Sequence, residues 1–206
     1  MYSDIYQMIK RKNSQGHKTK DLLIKAALHC LVEDGIHSIS FQSIAKKSGF
    51  PQPLVAYHFK KVSKIFPTVW DYIYDIALKR TESSLSHAGS AKEKLSNYLK
   101  ISIEIFSESK EITIIYFQLQ YLAIFDEKLK SINTQIKNKA VNRVAEILQN
   151  GQQTKEFKSD FDPYLTAKAI HSSLVGILIN SITDIENFEL NKVLSTFERR
   201  IFDSLI

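Results

Sequence analysis

The fold is decided by residues 40–61, which read SFQSIAKKSGFPQPLVAYHFKK. Ser40 is a residue type that caps the N-terminus of a helix, so a short helix is predicted over 41–48. Gly49 ends this helix, because glycine accepts the left-handed conformation that closes a helix. A second short helix is predicted from residue 51 or 52 to about 59, opened by a proline. This stretch therefore predicts two short helices joined by a tight turn.

The spacing of small and apolar residues predicts how these two helices pack. A steep crossing needs a small residue in the first helix, a residue tolerant of positive φ in the turn, and an apolar residue facing back from the second helix. Ala45, Gly49 and Val55 supply these in order, and Ile44 and Phe59 complete the inward face. This is the spacing of a helix-turn-helix, although many other helical hairpins share it.

The residues between the buried positions are polar or basic. They are Gln42, Ser43, Gln52, Tyr57, His58, Lys60 and Lys61. Glutamine can donate to and accept from an adenine edge, while the other residue types suit phosphate oxygens. No acidic residue lies anywhere in 41–64, unlike an ordinary solvated helix face. The pattern predicts binding to double-stranded DNA.

The charge distribution agrees with this interpretation. The net charge of the chain is +6, and residues 1–66 hold 11 Lys and Arg residues against 4 Asp and Glu residues. The remaining residues, 67–206, hold 17 against 18. A basic N-terminal part and a near-neutral remainder indicate a polyanion partner for the first part only. A surface that is merely rich in lysine is the alternative.

The rest of the chain is predicted to be all-α. Only 6 of the 206 residues are Gly and 4 are Pro, which disfavours an all-β fold with many tight turns. Apolar residues recur at helical spacing in about nine segments. These segments are 18–35, 41–48, 51–59, 63–85, 91–107, 110–122, 126–149, 163–183 and 187–205. Gly151 to Ser159 is predicted to be a loop.

Three regions follow from this pattern. Residues 1–16 are predicted to form a basic arm or a short extra helix, and residues 17–62 a three-helix helix-turn-helix domain. Residues 63–206 are predicted to form a larger helical domain for ligand binding and dimerisation.

Residues 40–53, followed by Tyr57, His58, Phe59 and Lys60, resemble the DNA-binding region of the TetR family of bacterial transcriptional regulators. The resemblance covers about residues 17–85. It implies a cytoplasmic, nucleoid-associated homodimer that binds a palindromic DNA operator, usually as a repressor. It also implies release from DNA when a small molecule enters the larger domain.

Carried over position by position, the resemblance implies specific roles for the DNA-binding residues. Ser40 would cap the first short helix and touch phosphate, with Gln42 and Ser43 at its DNA-facing start. Base-facing residues would be Gln52, Pro53 and Leu54, and backbone contacts would come from Tyr57, His58 and Lys60. The family usually has Tyr at Ala56 and a Lys–Glu pair at Val62 and Ser63, and Tyr57 and Lys61 are predicted to replace the missing phosphate contacts.

The middle of the chain is rich in aromatic residues, which predicts a mostly apolar effector pocket with a few polar anchors. The candidate pocket residues are Trp70, Tyr74, Tyr98, Phe106, Phe117, Gln118, Tyr121 and His171. Aromatic residues at helical spacing also suit an ordinary core, and His171 also suits a hydrogen-bonded interior or interface position. The predicted effector is an apolar or amphipathic small molecule.

An operator-binding dimer places its two recognition helices about one DNA turn apart, roughly 34–36 Å, so an interface between copies is needed. The last two helices are the best candidates, because residues 174–179 are apolar nearly all round and the last helix carries one apolar stripe. The candidate interface residues are Leu174, Ile177, Leu178, Leu194, Phe197 and Ile201. A single core helix in a monomer is the alternative.

Enzymatic function is not expected. Cys30 is the only cysteine and lies on an apolar stripe, and His29 points about 100° away from it on the helix. No phosphate-binding glycine loop and no metal-ligand pattern is found in the sequence, so no cofactor or metal is expected. The longest uncharged stretch of the apolar C-terminal region, residues 169–183, is expected to be too short and too polar to cross a membrane, and no secretory signal is expected. Two alternatives remain: a DNA-binding regulator without small-molecule sensing, and a helical protein–protein adaptor.

Overall fold

The computed structural model describes residues 15–184 and 186–206, with side chains described from residue 18 onward. The basic arm predicted for 1–16 lies outside the described residues except for its last two, which already belong to the first helix. All regular elements in the described ranges are helical, so the all-α prediction is confirmed there. The helices are α1 (Gln15–Glu33), α2 (Phe41–Ser48), α3 (Gln52–Phe59), α4 (Ile65–Leu85), α5 (Ala91–Ser107), α6 (Lys110–Leu122), α7 (Glu127–Gln153), α8 (Pro163–Thr183) and α9 (Leu190–Leu205), with a 3-10 turn at Val62–Lys64 between α3 and α4.

The chain divides into two compact units, each described here by itself. The first comprises, of the described residues, 15–75 and 108–132. In it α1 packs on α2, α2 packs on α3, and α6 packs on α1. The boundary predicted at residues 62 and 63 is therefore not the boundary of this unit, because α6 returns to cover α1. The division by function stays a prediction.

The core of the first unit contains the residues that the spacing predicts. Ile44, Val55 and Phe59 are buried, as is the apolar face of α1 around Leu23 and Ala27. Burial of side chains of this size contributes about 1.5–3 kcal/mol each, so this face holds the short helices α2 and α3 in place.

The second unit comprises 76–107 and 133–206. Here α5 packs against α8, and α9 packs against both. Its core is built from aliphatic side chains of α5, α7 and α8, namely Leu95, Leu99, Val144, Leu148 and Ile170. The hydroxyl of Ser96 on α5 donates a hydrogen bond to the carboxylate of Glu198 on α9.

The prediction that a loop begins at Gly151 is wrong. Helix α7 continues to Gln153, and Gly151 lies inside it and is buried. The ring of Phe157 folds back over this glycine, and the backbone N–H of Phe157 donates to the carbonyl oxygen of Gly151 at 3.0 Å. A Cβ atom at residue 151 would come within 2.1 Å of the ring. Glycine is therefore present because an aromatic ring occupies the space of a side chain, not because a helix ends there.

The segment after α7 also closes the N-terminus of α5. Each carboxylate oxygen of Glu156 accepts one backbone N–H bond, from Ala91 and from Lys92, both at 3.1 Å. The first N–H groups of a helix have no partner within the helix, so this carboxylate satisfies two of them. The N–H groups of Lys92 and Ala91, in that order of effect, hold the pKa of Glu156 below its ordinary value.

We expect Glu156→Gln to lower the melting temperature at neutral pH, because a neutral amide binds the helix terminus less strongly. A carboxyl group with a lowered pKa in the folded state stabilises the fold above its unfolded pKa, and this stabilisation is lost as the pH falls through the folded pKa. The difference from the wild type should therefore shrink below about pH 4.5. Thermal melts from pH 7 to pH 3 measure this, with Glu146→Gln on the exposed side of α7 as the control. A constant difference across this range would contradict the capping role.

Helix α8 is the one helix among the described residues that is long and apolar enough to cross a membrane by length and composition. Its most apolar stretch has a mean hydropathy of 1.3, and 28% of that stretch is buried. Interior and interface helices of globular proteins share these properties. Lys168, Ser172 and Asn180 are exposed along α8, so the helix is not evidence of a membrane span.

Candidate DNA-binding site

Helix α2 begins with a reciprocal cap made by two serines. The backbone N–H of Ser43 donates to Oγ of Ser40 at 3.0 Å, and the backbone N–H of Ser40 donates to Oγ of Ser43 at 2.9 Å. Caps of this kind typically contribute about 1 kcal/mol. Ser40 thus has the capping role that the sequence predicts, and the hydroxyl of Ser43 is turned back toward the same cap. Gln42, between them, is exposed.

The turn between α2 and α3 depends on one glycine. Gly49 has φ 73° and ψ 6°, and its N–H donates to the carbonyl oxygen of Ala45 at 3.0 Å. This left-handed conformation is strained for residues with a Cβ atom, although the space around Gly49 is open. Backbone conformation, not crowding, therefore requires glycine here.

Helix α3 presents its predicted contact residues on its outer side. Gln52 and Pro53 in the first turn are exposed, and 66% of Tyr57 is exposed. Leu54 and His58 are half-buried, and the ring of His58 meets that of Tyr57 edge-on with centroids 5.5 Å apart. Pro51 occupies the N-cap position of α3, and its side chain has no atom that accepts a hydrogen bond, so no side chain caps this helix.

The end of α3 is a strained turn centred on Lys60. Lys60 has φ 65° and ψ −47°, and the N–H of Lys61 donates to the carbonyl oxygen of Phe59 at 2.8 Å, which closes a γ-turn. A residue other than glycine in this conformation costs of order 1–3 kcal/mol, and such strain is concentrated at functional sites. The ammonium group of Lys60 lies 4.2 Å from the centroid of the Tyr57 ring. The turn thus holds a cation over an exposed aromatic ring at the end of α3.

The remaining lysines near α2 and α3 have different surroundings. The Lys47 ammonium donates to the carboxylate of Glu33 at the end of α1, which raises the pKa of Lys47. Lys46 and Lys61 are exposed. Burial raises the pKa of the Cys30 thiol beneath α2, in keeping with the inert core role that the sequence predicts. Exposed positive charge therefore lies on Lys46, Lys60, Lys61 and Lys64.

Comparison with known proteins agrees with this geometry. No family model matches the chain. The chain is 30% identical over 110 residues to the uncharacterized HTH-type transcriptional regulator YdgC of Bacillus subtilis, a match covering 52% of the chain and 56% of that relative. It is 23% identical over 168 residues to the fatty acid metabolism regulator protein of Bacillus subtilis, covering 82% of the chain and 86% of the relative. The chain thus spans about half the length of the first relative and most of the second.

Solved structures extend the likeness over nearly the whole chain. A TetR transcription regulator from Haloarcula marismortui superimposes with a TM-score of 0.82 at 14% identity, covering 92% of this chain and all of that one. The chain has the TetR-family fold. FadR from Bacillus subtilis, solved with stearoyl-CoA, superimposes with a TM-score of 0.79 at 19% identity, covering 88% of this chain and 97% of that one. The resemblance to TetR-family proteins is confirmed, and these relatives are transcriptional regulators rather than enzymes.

The residues predicted to line an effector pocket lie in both compact units. Trp70, Tyr74, Phe117, Gln118 and Tyr121 belong to the first unit, and Tyr98, Phe106 and His171 belong to the second. Trp70 and Tyr98 are buried, while 54% of Tyr121 is exposed. Tyr121 meets Phe125 at a centroid distance of 5.3 Å on the surface of its unit. The assignment of these residues to one pocket stays a prediction.

His171 is half-buried. Burial and the nearby charge of Lys137 lower the pKa of His171, so the neutral ring is favoured. The rings of Tyr116 and Phe117 meet edge-on at 5.3 Å. In the part of the chain that the structure describes, no group of three His, Cys, Asp or Glu residues is arranged to hold a metal ion.

Gln118 links α6 to α1, a role that the sequence does not indicate. Its side-chain N–H donates to the carbonyl oxygen of Leu31 at 3.2 Å. Leu31 is in the last turn of α1, where carbonyl groups have no partner within the helix. The oxygen of the same amide is buried and has no hydrogen-bond partner. Gln118 therefore provides a hydrogen-bond donor for a carbonyl group at the end of α1, while its own side-chain oxygen stays buried without a donor.

The predicted dimer residues on α8 are buried within the single chain. Leu174, Ile177 and Leu178 are 3%, 8% and 4% exposed, so a partner would not reach them directly. Leu194, Phe197 and Ile201 on α9 are half-buried. The outward stripe of α8 lies on a different face and consists of Leu165, Ala169, Ser172, Gly176 and Asn180. Because residues 174–179 are apolar nearly all round, the sequence alone does not show which face of α8 is buried there.

Proposed function

We propose that this protein is a DNA-binding transcriptional repressor that acts as a homodimer on a palindromic operator and releases it when a small molecule binds. The observation that carries the proposal is the pair α2 and α3. Their inner residues are buried, their turn is fixed by Gly49, and their outer face over 41–64 has no acidic residue. On this proposal the first turn of α3, with Gln52, enters the major groove, and Tyr57, Lys60 and Lys61 contact the backbone.

The dimer proposal is supported by the incomplete cover of α8. Most of its apolar stretch is not buried in the protomer, and Leu165 on its outward stripe is 61% exposed. A Cβ atom at Gly176, in the middle of this stripe, would meet nothing within 4 Å, so a partner helix has room to approach closely. We propose that this stripe and the half-buried face of α9 pack against the same surface of a second copy.

Selection of bound sequences from random DNA tests the function directly. A two-fold palindrome is expected, and the mass of the protein in solution should be that of a dimer. Gln52→Ala should then weaken binding to the selected sequence by roughly tenfold to a hundredfold, because a base contact is worth about 1–3 kcal/mol. The affinity for unrelated DNA should be nearly unchanged. Gln149→Ala, an exposed glutamine on α7, is the control. An unchanged preference in the Gln52 variant would contradict the placement of α3.

The effector that we propose is amphipathic. This rests on the aromatic side chains of the middle helices and on the relatives, one named a fatty acid metabolism regulator and another solved with stearoyl-CoA. A long-chain acyl thioester is therefore the first compound to test. Stearoyl-CoA should raise the melting temperature and lower affinity for the selected DNA, and coenzyme A alone is the control. If neither quantity changes with a panel of amphipathic compounds, the protein is a regulator that senses no small molecule.

A further inference from the structure

The last turn of α1 is held by a side chain from α6. Leu31 lies in this turn and is buried, and its carbonyl oxygen accepts the side-chain N–H of Gln118 at 3.2 Å. Gly35 follows with φ 79°, so the chain turns away from the helix axis and the last carbonyl groups of α1 need partners from elsewhere. Helix α6, 87 residues further along the chain, supplies one of these partners.

Both ends of α2 are attached to this part of α1 and to the loop that follows it. At the C-terminal end of α2, the Lys47 ammonium donates to the carboxylate of Glu33, in the last turn of α1. At the N-terminal end, the Ser43 hydroxyl donates to the carbonyl oxygens of Ser40 and of Ser38, at 3.0 and 3.3 Å. The position of α2, and of α3 that packs on it, therefore follows the position of the last turn of α1.

The contact from α6 leaves one polar atom unsatisfied. The side-chain oxygen of Gln118 is buried, and no hydrogen-bond donor of the described residues reaches it. Native folds leave few buried polar atoms in this state, because each one destabilises the fold. An apolar side chain would fill the same space without burying an acceptor. The amide at residue 118 is therefore explained by its N–H group and by what that group holds.

We propose that Gln118 is a positioning residue for DNA binding, whose N–H fixes the last turn of α1 and so holds α2 and α3 in the orientation that fits the DNA groove. The inference rests on the proposed DNA-binding function and adds a determinant on α6, outside the helix-turn-helix. On this proposal Gln118 does not touch DNA. It affects the choice of sequence, which depends on the orientation of α3, more than the phosphate contacts, which flexible lysine side chains still reach.

Gln118→Met tests the amide with little change in side-chain length. It exchanges one unsatisfied acceptor, the amide oxygen, for another, the carbonyl oxygen of Leu31, so the melting temperature should stay within about 2 °C of the wild type. The affinity for the selected operator should fall about fivefold, the effect of one ordinary hydrogen bond, and the affinity for an unrelated duplex should change less than about twofold.

Gln120→Met is the matched control. It removes the same group from the same helix, but the N–H of this amide donates to Oη of Tyr116 on α6 itself, at 2.7 Å. The operator affinity of this variant should equal that of the wild type.

Gln118→Glu separates the hydrogen bond from the shape of the side chain. An ionised carboxylate has no donor for the carbonyl oxygen of Leu31, so at about pH 8 the operator affinity should fall about fivefold relative to the wild type. A protonated carboxyl group has one O–H donor, and burial raises its pKa. The loss, measured against the wild type at the same pH, should therefore shrink to less than about twofold near pH 5.5.

The outcomes distinguish this inference from the function on which it rests. If Gln118→Met and Gln120→Met have the same operator affinity while Gln52→Ala has lost the preference for the operator, the inference is wrong and DNA binding stands. If Gln118→Met lowers the melting temperature and weakens binding to both duplexes equally, or if the loss in Gln118→Glu is independent of pH, the role is only structural and the inference is overturned. If the wild type prefers no duplex, the proposed function fails and the inference fails with it.

Discussion

Replacing Lys60 and Lys61 together by alanine is expected to weaken binding to any DNA duplex by about ten- to thirtyfold at 0.15 M salt. Each phosphate contact contributes about 0.9 to the slope of log K against log salt, so this slope should fall by about 1.8. Operator and unrelated DNA should be affected equally, since neither lysine is placed to read a base. Fluorescence anisotropy of labelled duplexes at several salt concentrations measures both quantities.

The strained turn at Lys60 allows charge and backbone effects to be separated. Lys60→Gly removes the ammonium group of Lys60, as Lys60→Ala does, so it should weaken DNA binding. It also removes the backbone strain of a positive φ at a residue with a Cβ atom, so it should raise the free energy of unfolding by about 1 kcal/mol. The matched control is Lys100→Ala/Lys158→Ala, which removes two exposed lysines of the second unit. Equal affinities in the control and the Lys60/Lys61 variant would contradict the placement of α3 on DNA.

Gly151→Ala is expected to destabilise the fold by about 1–3 kcal/mol, because the new Cβ atom would lie only 2.1 Å from the nearest ring atom of Phe157. In a protein of this size such a loss lowers the melting temperature by about 2–4 °C per kcal/mol. Thermal and urea melts measure the change. Alanine is ordinarily favoured over glycine inside a helix, so a destabilisation here is the reverse of what helix propensity predicts.

A second substitution shows whether the ring is the cause. Phe157→Leu in the Gly151→Ala background should recover part of the lost stability, and the two changes should therefore be non-additive. Gly89→Ala is the control, since a Cβ there would meet its nearest atom, Oε2 of Glu93, at an ordinary 3.6 Å. Strict additivity of the two changes would contradict the packing of Phe157 on α7.

The helix-turn-helix was predictable because its determinants are local. The cap at Ser40, the positive φ at Gly49 and the burial of Val55 all depend on residues within two or three helical turns of one another. A side chain that caps its own helix has few alternatives, so sequence spacing is enough to place it. The bounds of α5, α6 and α8 agree with those that the apolar periodicity predicts.

Gly151 shows where local reasoning fails. A glycine in a helical pattern indicates either that the helix ends there, at a residue in the left-handed conformation, or that another group packs closely against the backbone. The sequence does not distinguish these two cases. Gly49 has a positive φ and ends α2, whereas Gly151 stays in α7 because Phe157 fills the space beside it. The packing of a ring from the following loop decides the second case.

By itself the sequence determined that the chain is helical, that α2 and α3 form a basic helix-turn-helix, and which side of α3 faces outward. Only the tertiary structure decided that Gln118 closes the end of α1 and that Leu174 faces inward. The physical reason is distance along the chain. Caps and helical periodicity act between neighbours, while contacts between separate helices depend on how whole faces pack, which the spacing of residues in one helix does not specify.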